Sequence, residues 1–432
     1  MKRLRFIGAA LGVVFATTAF VGWPVLNGLH TDSHTPETLP YLPPVINPDG
    51  IVSPDDDPKA LPEFVQNGLA WLAEAQFENG GWGAGSHARQ DIRDPRAVQI
   101  DPATTAFSAM AFLRAGNTLT DGPYRQTVGK ALTYLLDLVA SYPEAGAKIS
   151  DVTGTQPQAK LGQHVDVAMV AQFLTQVLPH TKHDKALRER VGDALEVCVT
   201  KLARAQDADG SWNSRGGWAG VLQSAMANSA LEMADDLGVA VDREALERSR
   251  RYQKDNLDET SGVVRTESAA GIALYSIAGS QRATAQEANE VKQKIAEGRR
   301  DGTLALPATV SEEEAVSEEN LKKLGYDEDD ARRLNEAYRK NKAAARMMQD
   351  EQVLSGFGNN GGEEFLSYMM TSESLAGAGG EEWQSWYEKM HTRLSKIQNP
   401  DGSWSGHHCI TSPVFCTAAV ILTMTADRME QV

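Results

Sequence analysis

Four residues able to bind metal or undergo redox chemistry lie within ten positions near the C-terminus, in the stretch DGSWSGHHCITSPVFC. They are His407, His408, Cys409 and Cys416. Thiolate and imidazole groups at this density are ligands that zinc prefers. The two cysteines could instead form a disulfide in an oxidising compartment, or remain free thiols. The sequence therefore leaves a zinc site, a disulfide and free thiols open.

A second group of polar residues lies where helices of small residues are expected to begin. Glu363 and Glu364 open the stretch GGEEFLSYMM, which also holds Tyr368, and His164 and Asp166 open a similar stretch. Carboxyl groups near imidazole and phenol can act as general acids and bases, so these five are the candidate catalytic residues. Helix dipoles should keep the pKa values of Asp166 and Glu364 low. The alternative is that each residue only caps its helix.

Three short strings with identical spacing indicate how the chain is built. QFENGGW, QDADGSW and QNPDGSW place a Gly four residues and a Trp six residues after Gln76, Gln206 and Gln398. Each string follows an amphipathic helix and precedes a second helix rich in small residues. A Gly lets the chain reverse past a helix end, and the Trp can pack back over it. The sequence therefore predicts a repeated helical hairpin.

Helical periodicity around these strings predicts six hairpins, and strand patterns almost vanish. The predicted outer and inner helices are 63–76 with 102–116, 124–141 with 163–178, 184–206 with 219–236, 242–254 with 266–279, an inner helix over 362–377, and 381–398 with 413–427. Six hairpins that close on themselves give an all-α fold, an α/α toroid over residues 63–428. Its inner helices would all begin at one end, here called the mouth, where the candidate residues would converge.

With these features the chain resembles the superfamily of squalene-hopene and oxidosqualene cyclases and protein prenyltransferase β subunits. The resemblance rests on the three Gln-x-x-x-Gly-x-Trp strings and on the helix openings TTA at Thr104 and CTA at Cys416. It covers about residues 60–428 and implies the toroid fold. It implies the activity less directly, because one fold hosts many functions.

The catalytic signatures of that superfamily are incomplete here. Class II cyclases protonate an alkene with the middle acid of Asp-x-Asp-Asp-Thr-Ala, and the matching string is DPATTA. Asp101 remains, but Ala103 and Thr104 replace the other two acids, and a methyl group cannot donate a proton. An Asp-x-Asp-Asp string over 327–330 is more typical of a solvated helix start. Prenyltransferases hold zinc with Asp, Cys and His, yet no Asp precedes Cys416 as their pattern requires.

The segment 281–352 departs from the repeat. It holds 13 basic and 16 acidic residues among 72, which is too polar for the wall of a ring. We expect a charged helical insertion that protrudes and offers a surface to a protein partner. Its last part, over 329–350, is expected to supply the fifth outer helix.

The N-terminus predicts export. Three basic residues precede an uncharged stretch over 6–23, whose length is close to the span of a hydrocarbon core. Basic residues before such a stretch place the remainder outside the cytoplasm. We therefore expect residues 1–23 to be a signal peptide or a membrane anchor, residues 24–62 to be a Pro-rich linker, and the toroid to be periplasmic or secreted.

Charge and composition limit the function. With 42 basic and 58 acidic residues the net charge is −16, so the chain lacks the basic surface that nucleic acid binding requires. The favoured function is the binding of an isoprenoid, peptide or other ligand at the mouth, with catalysis left open. One alternative is a non-catalytic scaffold that acts through 281–352. Another is a glycan-active hydrolase or lyase that uses Trp82, Trp212 and Trp404 as sugar platforms.

Overall fold

The computed structural model describes residues 46–47, 50–51 and 60–428. The chain divides into two compact units, Met1–Ala60 and Leu61–Val432. In the first unit, strands β1 (Ile46–Asn47) and β2 (Gly50–Ile51) pair antiparallel. The signal or anchor predicted over 1–23 lies outside the described residues, as does most of the predicted linker. Among the helices that are described, none has the length and apolarity needed to cross a bilayer.

The second unit is built from helices, which confirms the expected all-α class. In chain order they are α1 Glu63–Glu74, α2 Pro102–Arg114, α3 Arg125–Ser141, α4 Gln156–Lys160, α5 Val165–Val177, α6 Lys185–Ala205, α7 Gly220–Asp236, α8 Arg243–Lys254, α9 Ala273–Arg300, α10 Glu312–Ala315, α11 Glu318–Lys323, α12 Glu328–Met347, α13 Glu351–Leu354, α14 Gly362–Ala378, α15 Gly380–Ser395 and α16 Pro413–Met424. Short 3-10 turns lie at His87–Arg89, Leu178–Thr181, Asn213–Arg215 and Ala426–Arg428.

Six of these helices contact one another in a closed order. Helix α2 packs on α5, α5 on α7, α7 on α9, α9 on α14, α14 on α16, and α16 in turn on α2. All residues of α2 are buried, as expected for a helix with neighbours on every side. Small residues such as Ala103, Ala106 and Ala109 allow this close approach. We call these six the inner helices.

The outer helices lie against the inner ones. Helix α1 contacts α2 and α16, α3 contacts α2, α6 contacts α5 and α7, α8 contacts α7 and α9, α12 contacts α9, and α15 contacts α14 and α16. Each buries one stripe only. In α6 the buried residues Val191, Leu195, Cys198 and Leu202 recur every three or four positions. This spacing is that of an amphipathic helix with one face on the core.

The tryptophans of the three strings occupy equivalent places. Trp82, Trp212 and Trp404 are fully buried. Each indole N–H donates to a carbonyl near the end of the preceding outer helix, Leu72 at 2.8 Å, Leu202 at 3.0 Å and Leu394 at 2.9 Å respectively. Because their rings are sealed inside the core, these tryptophans cannot serve as sugar platforms.

The glutamines of the strings join neighbouring hairpins. Each side-chain amide donates to the Gly carbonyl of its own string and to a first-turn carbonyl of the next outer helix. The acceptors are Gly80 and Thr127 for Gln76, Gly210 and Ala245 for Gln206, and Gly402 and Phe64 for Gln398. Phe64 lies in α1, so the last string bonds to the first hairpin.

The glycines of the strings are required by both conformation and space. Gly80, Gly210 and Gly402 have φ of 92°, 90° and 92°, a region that residues with a side chain rarely adopt. A Cβ on Gly80 would also lie 2.3 Å from the Lys130 carbonyl oxygen of the next outer helix. The backbone of each string can therefore press directly against the next hairpin.

The fourth inner helix differs from its prediction over 266–279. It begins at Ala273, because Ala270 and Gly271 have φ of 53° and 80° and interrupt any earlier helix. It then continues for 28 residues, through the predicted insertion boundary at Gln281. Residues 288, 291 and 295 of α9 join a second hydrophobic cluster with α12 and the segment between them. The charged segment thus has a small core of its own.

Candidate functional site

Glu364, one of the two acids that begin α14, caps its helix. It is fully buried and accepts the Gly361 N–H at 2.8 Å and the Phe357 N–H at 3.1 Å. The Tyr275 hydroxyl donates to the same carboxylate at 2.5 Å, and His408 Nε2 lies 3.7 Å from it. Its oxygens are engaged by the start of α14 and by neighbours, so Glu364 fixes structure.

Glu363 instead keeps a carboxyl group that can exchange a proton. It is 2% exposed and accepts the Ile410 N–H at 3.1 Å. Burial, and then the charge of Glu364, raises its pKa to about 7, while Lys160 opposes the shift. An acid with this pKa can give or take a proton near neutral pH.

Cys409 and Cys416 are free thiols, which is one of the three possibilities that the sequence leaves open. The Cys409 thiol hydrogen-bonds to Glu363, and burial together with the Glu363 charge raises its pKa to about 12. Cys416 is fully buried, which raises its pKa as well, and its thiol donates to the Ile410 carbonyl at 3.7 Å. Protonated thiols are poor nucleophiles and poor metal ligands.

The four residues predicted as zinc ligands do not form a shared site. His407 is exposed, and His408 Nε2 contacts the Asn359 carbonyl oxygen. The two thiols face Glu363 and the Ile410 carbonyl, as described above. Within residues 60–428, no three His, Cys, Asp or Glu side chains are placed so that they could hold a metal ion. Because the imidazole and thiol side chains of residues 407–416 contact different partners, the predicted ligands do not meet at one point.

Asp166 and His164, at the start of α5, form a different group. Gln158 Nε2 donates to Asp166 Oδ2 at 2.7 Å, while Asp166 Oδ1 is buried without a hydrogen-bond partner. Burial, and then the charge of Asp101, raises the Asp166 pKa to about 8. The predicted low pKa is wrong, because the helix dipole does not replace the lost hydration. Burial also lowers the His164 pKa to about 4, so its imidazole is neutral.

Tyr368 points away from the other candidates. Its hydroxyl donates to the Leu354 carbonyl at 2.6 Å and accepts from Arg393 of α15 at 3.3 Å. Its ring meets Trp386 of α15 edge to face at 6.4 Å. Tyr368 therefore packs α14 against α15 and does not meet the other predicted catalytic residues. Among the described residues, no hydrogen bond joins the Asp166 group to Glu363 either.

The N-terminal ends of the inner helices are covered. We call the covering stretches the mouth segments; they are residues 84–98, 150–163 and 405–412. Gln156 Oε1 accepts the N–H groups of Thr411 and Ser412 at 2.7 and 3.1 Å. Gln90 Nε2 donates to the Cys409 carbonyl at 2.7 Å. Asp101, Glu363 and Glu364 at the helix starts are buried, so the mouth is largely covered. A cavity of about 170 Å³ remains beside Asp166.

A cavity of about 660 Å³ opens at the opposite ends of the inner helices. We call it the C-terminal cavity, since the last turns of α2, α5 and α7 line it together with α9 and α14. Its volume falls within the usual range for small-molecule sites. Its lining residues include Arg114, Glu232, Arg282, Asn289, Glu290 and Glu373.

Four charged side chains in the wall of this cavity form, together with Arg250, a continuous arginine–glutamate chain. Arg114 pairs with Glu373, Arg282 bridges Glu373 at 3.2 Å and Glu232 at 3.3 Å, and Arg250 pairs with Glu232 at 2.8 Å. Burial alone would raise the Glu373 pKa, but Arg114 and Arg282 outweigh it and hold the pKa below its usual value. Glu373 is therefore ionised.

No known protein family and no curated protein matches this chain. The choice between the two ends rests on geometry. The mouth end holds acids with raised pKa values beside a cavity of about 170 Å³, whereas the opposite end combines ion-paired side chains with a cavity of about 660 Å³. The C-terminal cavity is therefore the better candidate site.

The residues predicted from sequence did not include the arginine–glutamate chain, although a signal for it exists. Arg114, Glu232 and Glu373 each interrupt a helix of small and apolar residues, in AFLRAG, ALEMAD and TSESLA. A charge on a fully buried helix must find a partner. Three such charges on three inner helices indicate that they meet. The acids over 327–330, by contrast, are a helix start as predicted, since Asp327 accepts the Asp330 N–H.

Proposed function

We propose that this chain is an exported α/α toroid of the terpene cyclase and protein prenyltransferase superfamily that works as a ligand-binding protein. The closed order of inner-helix contacts supports the toroid. So does the bond from Gln398 to Phe64, which links the last hairpin to the first. The common geometry of the three strings supports the superfamily. The basic and then apolar start of the sequence supports export.

The ligand site in this proposal is the C-terminal cavity, and the arginine–glutamate chain in its wall carries the argument. Removing ionised groups from water costs several kcal/mol each, and pairing offsets that cost only in good geometry. Apolar residues of similar volume would often stabilise such a wall better. A wall of paired charges beside about 660 Å³ of space is therefore better explained by ligand recognition than by packing.

The mouth end supports binding rather than catalysis. The thiols of Cys409 and Cys416 are protonated, Glu364 caps α14, and Tyr368 packs against an outer helix. Glu363 keeps a pKa near neutrality, but its hydrogen bond to Ile410 anchors a mouth segment over it. We assign these residues to closing the mouth.

A cavity-blocking variant tests the proposal. Asn289 lines the cavity, so Asn289→Trp should fill it, whereas Asn67→Trp places the same bulk on the exposed side of α1. Farnesol, cellotetraose, dodecanoic acid and tetraglycine represent four ligand classes. At saturation at least one should raise the Tm of the wild type and of Asn67→Trp by about 2–4 °C. It should not raise the Tm of Asn289→Trp.

Two results would contradict the cavity as the site. One is that none of the four compounds shifts the Tm of the wild type. The other is that a compound shifts the wild type and Asn289→Trp equally. Far-ultraviolet circular dichroism should first show the same helix content in all three proteins.

The scaffold alternative has one observation in its favour. The segment between α9 and α12 packs on its own hydrophobic cluster, which includes Leu304, Val316 and Leu321. A segment with its own core can present a defined surface to a protein partner. Replacing residues 303–325 by a short Gly-Ser linker should remove partner binding and leave ligand binding in the cavity unchanged.

A further inference from the structure

We propose that the C-terminal cavity binds an elongated zwitterion, with its anionic group at Arg114, its ammonium at Glu290 and Asp236, and uncharged hydrogen-bonding groups between them. This inference rests on the proposed ligand-binding function and adds the chemistry of the ligand. It follows from the order in which charged and uncharged side chains line the cavity.

The anionic end is set by Arg114. Its side chain is 2% exposed; Nε donates to Gln176 at 3.2 Å and Nη2 contacts Glu373. Its Nη1 is buried without an acceptor among the described residues. An unmet cationic donor beside open space favours an anion, with which it would form a charge-assisted hydrogen bond.

The cationic end is set by two acids further along the cavity. Asp236 accepts from the Gln286 amide at 3.0 Å, and Glu290 accepts from the Tyr326 hydroxyl at 2.6 Å. Both donors are uncharged, so these bonds leave the negative charge of each carboxylate in place. Asp236 is also the last residue of α7, where the helix dipole adds partial negative charge. This end of the cavity favours an ammonium group.

The middle of the cavity is polar and uncharged. Gln286 and Asn289 of α9 line it between Arg282 and Glu290, and a primary amide can both donate and accept hydrogen bonds. Along α9 the order is therefore a cation at Arg282, amides, and an anion at Glu290. A ligand with a carboxylate at one end, amide groups in the middle and an ammonium at the other end would place each of its charges beside a side chain of opposite charge.

The spacing of the charges sets the ligand length. Arg282, which shares Glu373 with Arg114, lies eight residues before Glu290 on one helix. This corresponds to about 12 Å at the helical rise. An extended chain spans at most about 3.5 Å per residue, so tetraglycine reaches roughly 14 Å and diglycine roughly 7 Å. Tetraglycine can therefore contact both ends, whereas diglycine cannot.

Ligand variants test the inference without changing the protein. Isothermal titration calorimetry on the full chain should show tetraglycine binding with a Kd about tenfold lower than that of its C-terminal amide. N-acetyl-tetraglycine should bind about threefold more weakly than tetraglycine. This loss is smaller than that of the amide because Asp236 and Glu290 are more exposed to solvent than Arg114. Diglycine should bind more weakly than both modified tetrapeptides. Equal affinity for tetraglycine and its amide would overturn the inference.

A protein variant tests the cationic end. Glu290→Gln should weaken tetraglycine about threefold but leave N-acetyl-tetraglycine unchanged. Glu297→Gln, on the same helix and outside the cavity, should change neither affinity. If Glu290→Gln weakens both peptides equally, or weakens neither, the assignment of the ammonium end is wrong.

The two proposals can fail separately. If tetraglycine does not bind while farnesol, cellotetraose or dodecanoic acid binds and is blocked by Asn289→Trp, the zwitterion inference falls and the cavity remains the site. If none of the four compounds binds, both proposals fall.

Discussion

The two ends of the inner helices bury charged groups in opposite ways. At the mouth end, burial raises the pKa values of Asp101, Glu363 and Asp166 to about 6, 7 and 8. Near pH 7 Asp166 is therefore mostly protonated, Glu363 is partly protonated, and Asp101 is mostly ionised. At the cavity end, Glu232 and Glu373 are equally buried but are paired with arginines. The two ends differ in whether an arginine side chain pairs with each buried acid. Buried acids without a cationic partner gain a raised pKa, whereas buried acids paired with arginine remain charged.

The largest expected effect comes from removing one member of the arginine–glutamate chain. Glu373→Gln leaves Arg114 and Arg282 with only Glu232 between them, and breaking a buried pair costs about 3–5 kcal/mol. Glu382→Gln is the control, because Glu382 is 42% exposed and pairs with Lys292 and Lys342. It should cost about 1 kcal/mol or less. Urea unfolding at pH 7 measures both, and equal losses would contradict the comparison.

The mouth end should respond to pH in a way that the cavity end does not. The folded-state pKa of Asp166, about 8, lies above its value of 3.8 in an unfolded chain. The stability contributed by the protonated form is therefore fully present below pH 3.8 and is lost as pH rises towards 8. Asp166→Asn removes this dependence and keeps an oxygen for Gln158.

We expect Asp166→Asn to be more stable than the wild type by about 1–3 kcal/mol at pH 8, and by less at pH 5. Urea unfolding at the two pH values measures the difference. The exposed Asp193→Asn on α6 serves as control and should differ little from the wild type at either pH. A gain for Asp166→Asn that does not change with pH would show that its carboxyl group is ionised in the fold.

The glutamines of the strings test whether the first and last hairpins are joined as firmly as any other neighbours. Gln398→Ala and Gln206→Ala each remove a side-chain amide that donates to two carbonyls. Each should cost about 1–2 kcal/mol, since each lost hydrogen bond contributes roughly 1 kcal/mol. Thermal unfolding of the two variants should give similar decreases in Tm. A much smaller decrease for Gln398→Ala would mean that the last contact is weak.

The smallest expected effect concerns the thiols. Because Cys198, Cys409 and Cys416 are free, a reductant should not change the Tm. Thiol titration in denaturant should count three groups without prior reduction. In the native protein Cys409 should react slowly at pH 8, since its pKa is raised to about 12. A count of one thiol would show that Cys409 and Cys416 are linked.

The helical class could be predicted because its signals are local. The spacing within each string fixes a Gly in the left-handed region and a Trp over the preceding helix, whatever the rest of the chain does. The predicted start of α9 lies seven residues too early, because nothing in the sequence indicates that Ala270 adopts a left-handed conformation. The site was harder to predict. Asp166 and Tyr368 lie on the helices that the sequence predicts. The sequence does not show, however, that Asp166 is buried away from water or that Tyr368 points towards α15.

The arginine–glutamate chain shows the remaining difficulty. Arg114 and Glu373 are 259 positions apart in sequence, and pairing them requires knowing which inner helices are aligned in height. Each charge taken alone could have been a helix end exposed to solvent. Only the ion pairs seen in the folded chain show that Arg114, Glu373, Arg282 and Glu232 line one wall.

The hydrogen bond from Gln398 to Phe64 joins the last hairpin to the first. The same packing is therefore compatible with more than one order of the hairpins along the chain. Helices α1 and α16 are in contact, so a short linker could connect the present ends of the helical unit while new termini are opened in another loop. Such a circular permutant would preserve every inter-hairpin bond except those at the cut. The cut could be placed at residue 239 or 302 to obtain a protein with the same packing and a different starting point.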